Sequence, residues 1–251
     1  MRRLLFALTV LAATLGPAGA EKLVSTLSAS QVLITSSFDG ASLSLFGSIE
    51  PDMPGGEASG PYNVVVAVTG PLQDRVTRLK TSNLGIWSNT DSVAFQHFPS
   101  FYAVISSGKL DTIADEAVLS EYDIRPEDQA RAVALSSGAK AERFSLELVR
   151  LMTEEGHFVN RDDGIRFLST SAYAVNLPLP SDVANGPFLV RTMVFKNRVL
   201  VAERTESFSV RKSGFENYVF VASRQQPLLY GIVCVLLALG TGWLAGVVFK
   251  R

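Results

Sequence analysis

The chain has 251 residues, with 23 basic and 24 acidic side chains and one cysteine, Cys234. Outside two apolar ends, 1–20 and 227–251, which hold four of the basic residues, 19 basic and 24 acidic side chains remain, a net charge of −5. This acidic balance argues against nucleic acid and against docking on anionic lipid, both of which reward clustered Lys and Arg. A single cysteine excludes an intrachain disulfide, so core packing must hold the fold together.

The first 20 residues have the three parts of a signal peptide. Arg2 and Arg3 form a charged start, an apolar run follows, and Ala18-Gly19-Ala20 supplies the small residues of a cleavage site. The apolar run is shorter than the about 20 residues that a membrane-spanning helix needs. We therefore expect export and cleavage before Glu21, with an uncleaved N-terminal anchor as the alternative.

The segment from residue 21 to about residue 107 is patterned as β-strands. Apolar and β-branched residues dominate 23–38, Asp39-Gly40 marks a turn, and alternation resumes at 43–48, which predicts a hairpin. Residues 62–69 form a continuous β-branched run typical of a strand buried on both faces. Further strands are expected at 76–79, 84–87 and 101–105.

Residues 108–156 change to helical spacing. Apolar side chains recur every three to four residues from Leu110, Pro126 suits the first turn of a second helix, and a third helix ends at Gly156. In the third helix, Phe144, Leu148, Leu151 and Met152 are predicted to share one face.

Strand patterning returns after Gly156. Tyr173, Val175 and Leu177 alternate, and 188–195 and 199–210 predict a hairpin around 196–198. The predicted fold is mainly β: an Ig-like β-sandwich over 21–226, completed by both halves of the chain, with a helical insertion at about 108–156. Two separate domains are the alternative.

The C-terminal end predicts one transmembrane helix over residues 227–249. Leu228 to Phe249 is 22 residues without a charge, and a helix of that length reaches about 33 Å, enough for a hydrocarbon core of about 30 Å. Lys250 and Arg251 follow as a short tail, which the preference of basic residues for the cytoplasmic side predicts to be cytoplasmic. Ala238, Gly242 and Gly246 recur every four residues and predict a helix-packing seam, through which a homodimer or a partner helix could associate.

The sequence contains no strong catalytic pattern. Neither histidine, His97 nor His157, has a metal-ligating neighbour at zinc-site spacing. Asp91, His97 and Ser100 have the residue types of a hydrolase triad, but triads are defined by geometry, and a turn aspartate, an exposed histidine and a serine after proline are the favoured interpretation. We predict no catalytic residue, no metal site and no cofactor, and leave the question of an enzyme open, with a non-enzymatic protein favoured.

Two further groups of residues have simple structural explanations. Asn160, Asp162, Asp163 and Gly164 are similar to a calcium loop, but position 171 is serine where an EF-hand needs glutamate, so a polar turn between helix and strand is favoured. The aromatic cluster at 95–102 could line a groove or fill the core, and the core is favoured.

Several segments together resemble a known family. These are LVSTLSASQVLITSSFDGASLSLFGSIE, YNVVVAVTGP, GIWSNTDSVAFQHFPSFYAV, and GFENYVF leading into LLYGIVCVLLALGTGWLAGVVF. In this order they resemble the alphaproteobacterial transmembrane protein family Alph_Pro_TM over essentially the whole mature chain. The resemblance implies an envelope protein with its domain in the periplasm and its helix in the inner membrane, and it carries over no catalytic residue. It also suggests a sulfite-exporter-like permease of the TauE/SafE type as a partner.

Two functions of different classes follow from these observations. The leading hypothesis is a non-enzymatic interaction or accessory module that binds an envelope protein or a transporter. The alternative is a membrane-tethered enzyme or small-ligand receptor. A filled sandwich with an exposed apolar patch favours the module, whereas an enclosed polar pocket with paired ionisable groups favours the alternative.

Overall fold

The structure is a computed structural model that describes residues 21–35, 40–50, 60–213 and 215–249. The predicted signal peptide and the predicted cytoplasmic tail lie outside the described residues. The described elements, in chain order, are β1 Lys22–Leu27, β2 Gln31–Ile34, β3 Ala41–Glu50, β4 Asn63–Thr69, β5 Leu72–Asn83, β6 Ile86–Pro99, β7 Tyr102–Ser106, α1 Leu110–Ile113, α2 Glu116–Glu121, α3 Pro126–Ala132, α4 Gly138–Glu154, β8 Phe158–Arg161, β9 Ile165–Phe167, β10 Ala172–Leu179, β11 Gly186–Lys196, β12 Val199–Lys212, α5 Phe215–Gln225 and α6 Pro227–Val248.

Two sheets form the body of the protein. The four-stranded sheet has the order β1-β3-β10-β9, and the six-stranded sheet has the order β2-β12-β11-β4-β7-β8. An immunoglobulin domain pairs its strands A-B-E-D in one sheet and C-F-G in the other, and β1-β3-β10-β9 and β4-β11-β12 follow that arrangement in chain order. The predicted mainly β, Ig-like sandwich with a helical insertion is therefore confirmed.

The predicted N-terminal hairpin is only partly correct. β1 pairs antiparallel with β3, as expected, but β2 leaves that sheet and pairs in parallel with the last strand, β12. Part of the predicted Asp39-Gly40 turn lies outside the described residues. At the other end, the predicted β11–β12 hairpin is confirmed, and Asn197 and Arg198 take positive φ values of 51° and 68° in its turn.

Two hydrophobic cores lie on opposite faces of the six-stranded sheet. In β4, Val64, Val66 and Val68 face the core between the sheets, whereas Val65 and Ala67 face a second core. Because side chains alternate across a strand, a strand buried on both faces needs apolar residues throughout. This arrangement explains the continuous apolar run seen in the sequence.

The helices α1 to α4 build the second core together with the base of the β5–β6 hairpin. They connect β7 to β8, which pair in parallel, and parallel neighbours require such a crossover. Phe144, Leu148 and Met152 of α4 are buried as predicted, but Leu151 is exposed, which corrects the predicted face. Gly156 follows α4 with φ 76°, the left-handed conformation expected of a glycine beyond a helix end.

Two helices follow the sandwich. α5 was not predicted from the sequence, and α6 begins at Pro227, which suits a first helical turn. α6 has a mean hydropathy of 2.2 over its most apolar window and none of that window is buried. It is the one helix among the described residues long and apolar enough to cross a membrane.

Candidate interaction surfaces

The outer face of the four-stranded sheet is open. Its outward positions are exposed or half-buried along all three longer strands. We define this open sheet face by nine residues: Val24, Thr26, Ser42, Ser44, Phe46, Ser48, Ala172, Ala174 and Asn176. The outer face of the six-stranded sheet is instead covered by the second core along β4, β7 and part of β11, whereas Glu203, Thr205 and Ser207 of β12 are exposed. The two faces of the sandwich therefore differ in what they present to a partner.

Phe46 lies near the middle of the open sheet face. Its register partners are Thr26 on β1 and Ala174 on β10, both small, so the aromatic ring stands above its neighbours with 46% of the residue exposed. A cleft of about 380 Å³ beside it is bordered by Arg166 and Asn176. The nine residues carry no charge, and depletion of charge around an aromatic anchor is typical of the centre of a protein interface.

The β5–β6 hairpin extends beyond the sandwich as an arm. Val93, Phe95 and Phe98 anchor its base in the second core, and Asp91 forms an ion pair with Lys140 of α4. The hydrogen bond from Lys140 lowers the pKa of the Asp91 carboxyl. Residues 82–90 are all exposed, so none of the described residues buries either face of this outer part of the ribbon.

The tip of the arm is apolar. Leu84 and Gly85 occupy the turn with φ values of 52° and 80°, and Leu84 is fully exposed. Ile86 and Trp87 follow with 72% and 70% exposure. We refer to residues 84–87 as the arm tip. The sequence pattern predicts an ordinary strand over 84–87, whereas Leu84 and Gly85 form the turn. The signal for an exposed tip was the position of 84–87 between two runs of Ser, Thr and Asn.

A groove of about 500 Å³ lies where the start of the hairpin meets β11 and α3, and it holds Asp123, Gln129 and Arg191. The Arg191 guanidinium donates to the Tyr122 carbonyl oxygen, and Gln129 Nε2 donates to the Asp123 carbonyl oxygen at 2.7 Å. These polar side chains therefore bind the backbone between α2 and α3, which is a structural role.

Tyr102 also binds the backbone between α2 and α3. Its hydroxyl donates to the carbonyl oxygens of Asp123 and Ile124 at 3.1 and 2.9 Å. Burial raises the pKa of Tyr102 well above its ordinary value, so the hydroxyl keeps its proton. The floor of the groove is thus a fixed part of the second core.

The structure does not assemble the residue types of a triad. Asp91 binds Lys140, while the backbone N–H of His97 donates to Asp74 Oδ1 at 3.1 Å. Ser100 is buried, and its hydroxyl has no hydrogen-bond partner among the described residues. Among the residues that the structure describes, no group of three or more His, Cys, Asp or Glu side chains is placed to hold a metal ion.

The stretch that is similar to a calcium loop is a turn between two strands. It joins β8 of the larger sheet to β9 of the smaller one, which corrects the predicted position between a helix and a strand. Asp163 has φ 58°, and the Gly164 N–H donates to the Ser106 carbonyl oxygen at 2.9 Å. A Cβ at Gly164 would lie 2.5 Å from Ile105 Cγ2, so glycine permits the close crossing between the sheets.

The aromatic cluster is core, as favoured. Phe101 packs in the sandwich core, whereas Phe95, Phe98 and Tyr102 lie in the second core. The Phe98 and Phe158 rings stack with centroids 5.4 Å apart. The cluster therefore joins the hairpin to the six-stranded sheet and does not line a groove.

The predicted seam residues lie on α6. Ala238, Gly242 and Gly246 are exposed, and a Cβ at either glycine would meet no atom within 4 Å. Their packing role stays a prediction.

An Ig-like sandwich joined to one apolar helix defines a class of membrane-associated proteins with a single candidate span. The profile of the family described as "Putative transmembrane protein (Alph_Pro_TM)" matches residues 22–251. The chain belongs to this family. A search of curated proteins found no match.

Proposed function

We propose that the protein is a non-enzymatic interaction or accessory module, anchored in the inner membrane by α6 with its sandwich in the periplasm and residues 250–251 in the cytoplasm. The observation that carries this proposal is the open sheet face. Its nine defining residues are uncharged and centred on Phe46, whereas the second core covers the opposite side of the sandwich along β4, β7 and part of β11. The partner is an envelope protein or a transporter, with a sulfite-exporter-like permease as the first candidate. A cleaved signal peptide over 1–20 agrees with this orientation.

Three features support a protein partner. Phe46 offers the protruding aromatic side chain that dominates many interfaces, and small neighbours leave room for a complementary surface. The flanking charges lie at the rim, where charge is usual: Lys22 and Glu50 pair with each other at 3.6 Å, and Arg166 lies on β9 in register with Ala174. The anchor holds the face near other membrane proteins, which raises the effective concentration of a partner there.

The test is site-specific photo-crosslinking in native membranes. A benzoylphenylalanine at Phe46 should capture one defined membrane protein, and the same group at Leu135, which is somewhat more exposed but on the helical side, should not. Phe46→Ser should remove the adduct formed from a second crosslinker at Ser44 while lowering the melting temperature only modestly, because Phe46 is about half exposed. Equal labelling from Phe46 and Leu135, or none from either, would contradict the proposal.

The alternative, a membrane-tethered enzyme or small-ligand receptor, would use the groove at Arg191. Its polar side chains already bind backbone carbonyls, which leaves them poorly placed to receive a ligand. Arg191→Ala should therefore loosen the α2–α3 turn and lower the melting temperature without changing the Phe46 adduct. A small molecule from the periplasm that copurifies with the wild type and is lost in Arg191→Ala would favour the receptor.

A further inference from the structure

The arm tip is the most exposed apolar group of the sandwich. Leu84, Ile86 and Trp87 project from a ribbon whose next residues on both strands are uncharged and polar: Thr81, Ser82, Asn83, Ser88, Asn89 and Thr90. A bulky leucine occupies a turn position with positive φ, where Asn, Asp or Gly is usual. Three large apolar side chains at this turn are exposed to water, which is unfavourable in free energy. Contact with an apolar phase would remove that cost.

The arm is locally basic although the domain is acidic. Residues 75–90 contain Arg75, Arg78 and Lys80 and no acidic side chain. Lys80 is in register with Asn89, and Ser82 with Trp87. Residues that face each other or alternate along a strand share a face, so Lys80 and Trp87 lie on the same side of the ribbon. The domain is acidic on average, but the arm carries basic residues directly behind its apolar tip.

The spacing of these groups matches the depth profile of a bilayer surface. Lys80 lies four residues behind Leu84, about 14 Å along the strand. Interfacial segments bury their apolar side chains about 5–10 Å into the headgroup and acyl boundary. A tip at that depth would put the polar residues behind it among the headgroups and Lys80 at the level of the phosphates. Arg78 would lie two residues, about 7 Å, farther out, from where its long side chain can reach toward the phosphates. Trp is also the residue that favours this interface.

A protein pocket fits the arm tip less well. A standard protein interface uses about 20–30 residues on each side, whereas the tip presents three side chains on a narrow, convex turn. A bilayer instead offers a continuous surface, and α6 would hold the domain next to it. We propose that the arm tip inserts into the headgroup region of a membrane containing anionic phospholipid, with Arg78 and Lys80 contacting lipid phosphates.

Trp87 allows a direct test, because Trp243 is the only other tryptophan. The full chain carrying Trp243→Phe is reconstituted into vesicles of phosphatidylcholine and phosphatidylglycerol whose acyl chains are brominated near the headgroup. Insertion to the interfacial depth brings Trp87 close to the bromine atoms, so its emission should be lower than in unbrominated vesicles. Quenching should fall in vesicles of phosphatidylcholine alone, and also in 1 M salt, where the Debye length shrinks from about 10 Å at 0.1 M to about 3 Å.

Variants separate the contributions. Arg78→Gln with Lys80→Gln should reduce quenching on anionic vesicles to the level of neutral ones, and Leu84→Ser with Ile86→Ser should abolish it. Arg150→Gln is the matched control, because Arg150 lies on α4 in ion pairs with Glu147 and Glu154, and it should leave quenching unchanged. A circular dichroism spectrum identical to that of the parent confirms that each variant is folded.

Two outcomes would overturn the proposal. Unquenched Trp87 with full access to iodide would place the tip in water, and unquenched Trp87 protected from iodide would place it against another copy of the chain. Phe46→Ser should not alter quenching, so this test and the test of the open sheet face fail independently.

Discussion

Gly47 is the position where one added methyl group should disturb the sandwich most. It lies in β3 directly opposite Tyr173 of β10, and Tyr173 is fully buried. A Cβ at Gly47 would lie 2.2 Å from the Tyr173 hydroxyl oxygen, 2.3 Å from Cζ and 2.7 Å from Cε1. Glycine in a strand interior often marks such a close approach, and here the tyrosine ring covers it.

Gly47→Ala should therefore destabilise the protein through overpacking, by about 1–3 kcal/mol. We expect the upper end of that range, because the hydroxyl oxygen and two ring carbons of Tyr173 are involved and the side chain is enclosed. For a protein of this size, about 2–4 °C of melting temperature is lost per kcal/mol, so about 3 kcal/mol predicts a fall of about 6–12 °C. The assay is thermal unfolding of the detergent-solubilised chain, followed by circular dichroism in the β-sheet band.

Gly108→Ala is the control, because a Cβ there would meet its nearest atoms at 3.8 and 3.9 Å, an ordinary contact. It should leave the melting temperature nearly unchanged. The shorter side chain in Tyr173→Leu should relieve the clash. Gly47→Ala should therefore lower the free energy of unfolding less in the Tyr173→Leu background than in the wild type. A melting temperature for Gly47→Ala within about 1 °C of the parent would refute the reasoning.

Three other predictions test the remaining features. Mass analysis of the membrane-bound protein should find Glu21 at the N-terminus, because the Ala-x-Ala site precedes it; an intact Met1 would show an N-terminal anchor instead. Gly242→Leu with Gly246→Leu should abolish a crosslinked homodimer or partner complex while the chain stays inserted in the membrane. The control Gly240→Leu, on the opposite face of the helix, should leave that complex intact. Survival of the complex in the double variant would show that the seam does not mediate association. Tyr102→Phe should cost about 1–2 kcal/mol through loss of the hydrogen bonds to the α2–α3 turn, a fall of about 2–8 °C in the same unfolding assay, and an unchanged melting temperature would show that those bonds contribute little.

The individual elements of the fold were largely predictable, because local patterns carry them. Alternation at Tyr173, Val175 and Leu177 indicated β10, and the uninterrupted run at 62–69 indicated β4 buried on both faces. The length and composition of α6 follow from an uncharged run of apolar residues. Each of these signals is contained in a window of about ten to twenty residues, where periodicity is informative.

The candidate surfaces could not be predicted in the same way. Val24, Phe46 and Ala174 are ordinary strand residues in the sequence and become neighbours only when β3 pairs with both β1 and β10. Leu84 and Trp87 have the composition of a buried strand, and only the absence of packing around the outer hairpin leaves them exposed.

The sequence by itself determined the strand and helix patterning, the apolar helix and the absence of an intrachain disulfide. The tertiary structure alone decided that β2 crosses to the second sheet, that the helices cover one sheet and leave the other open, and that the β5–β6 ribbon carries an apolar tip. The physical reason is that periodicity reports which side chains need burial, whereas exposure depends on which distant segments supply the covering surface.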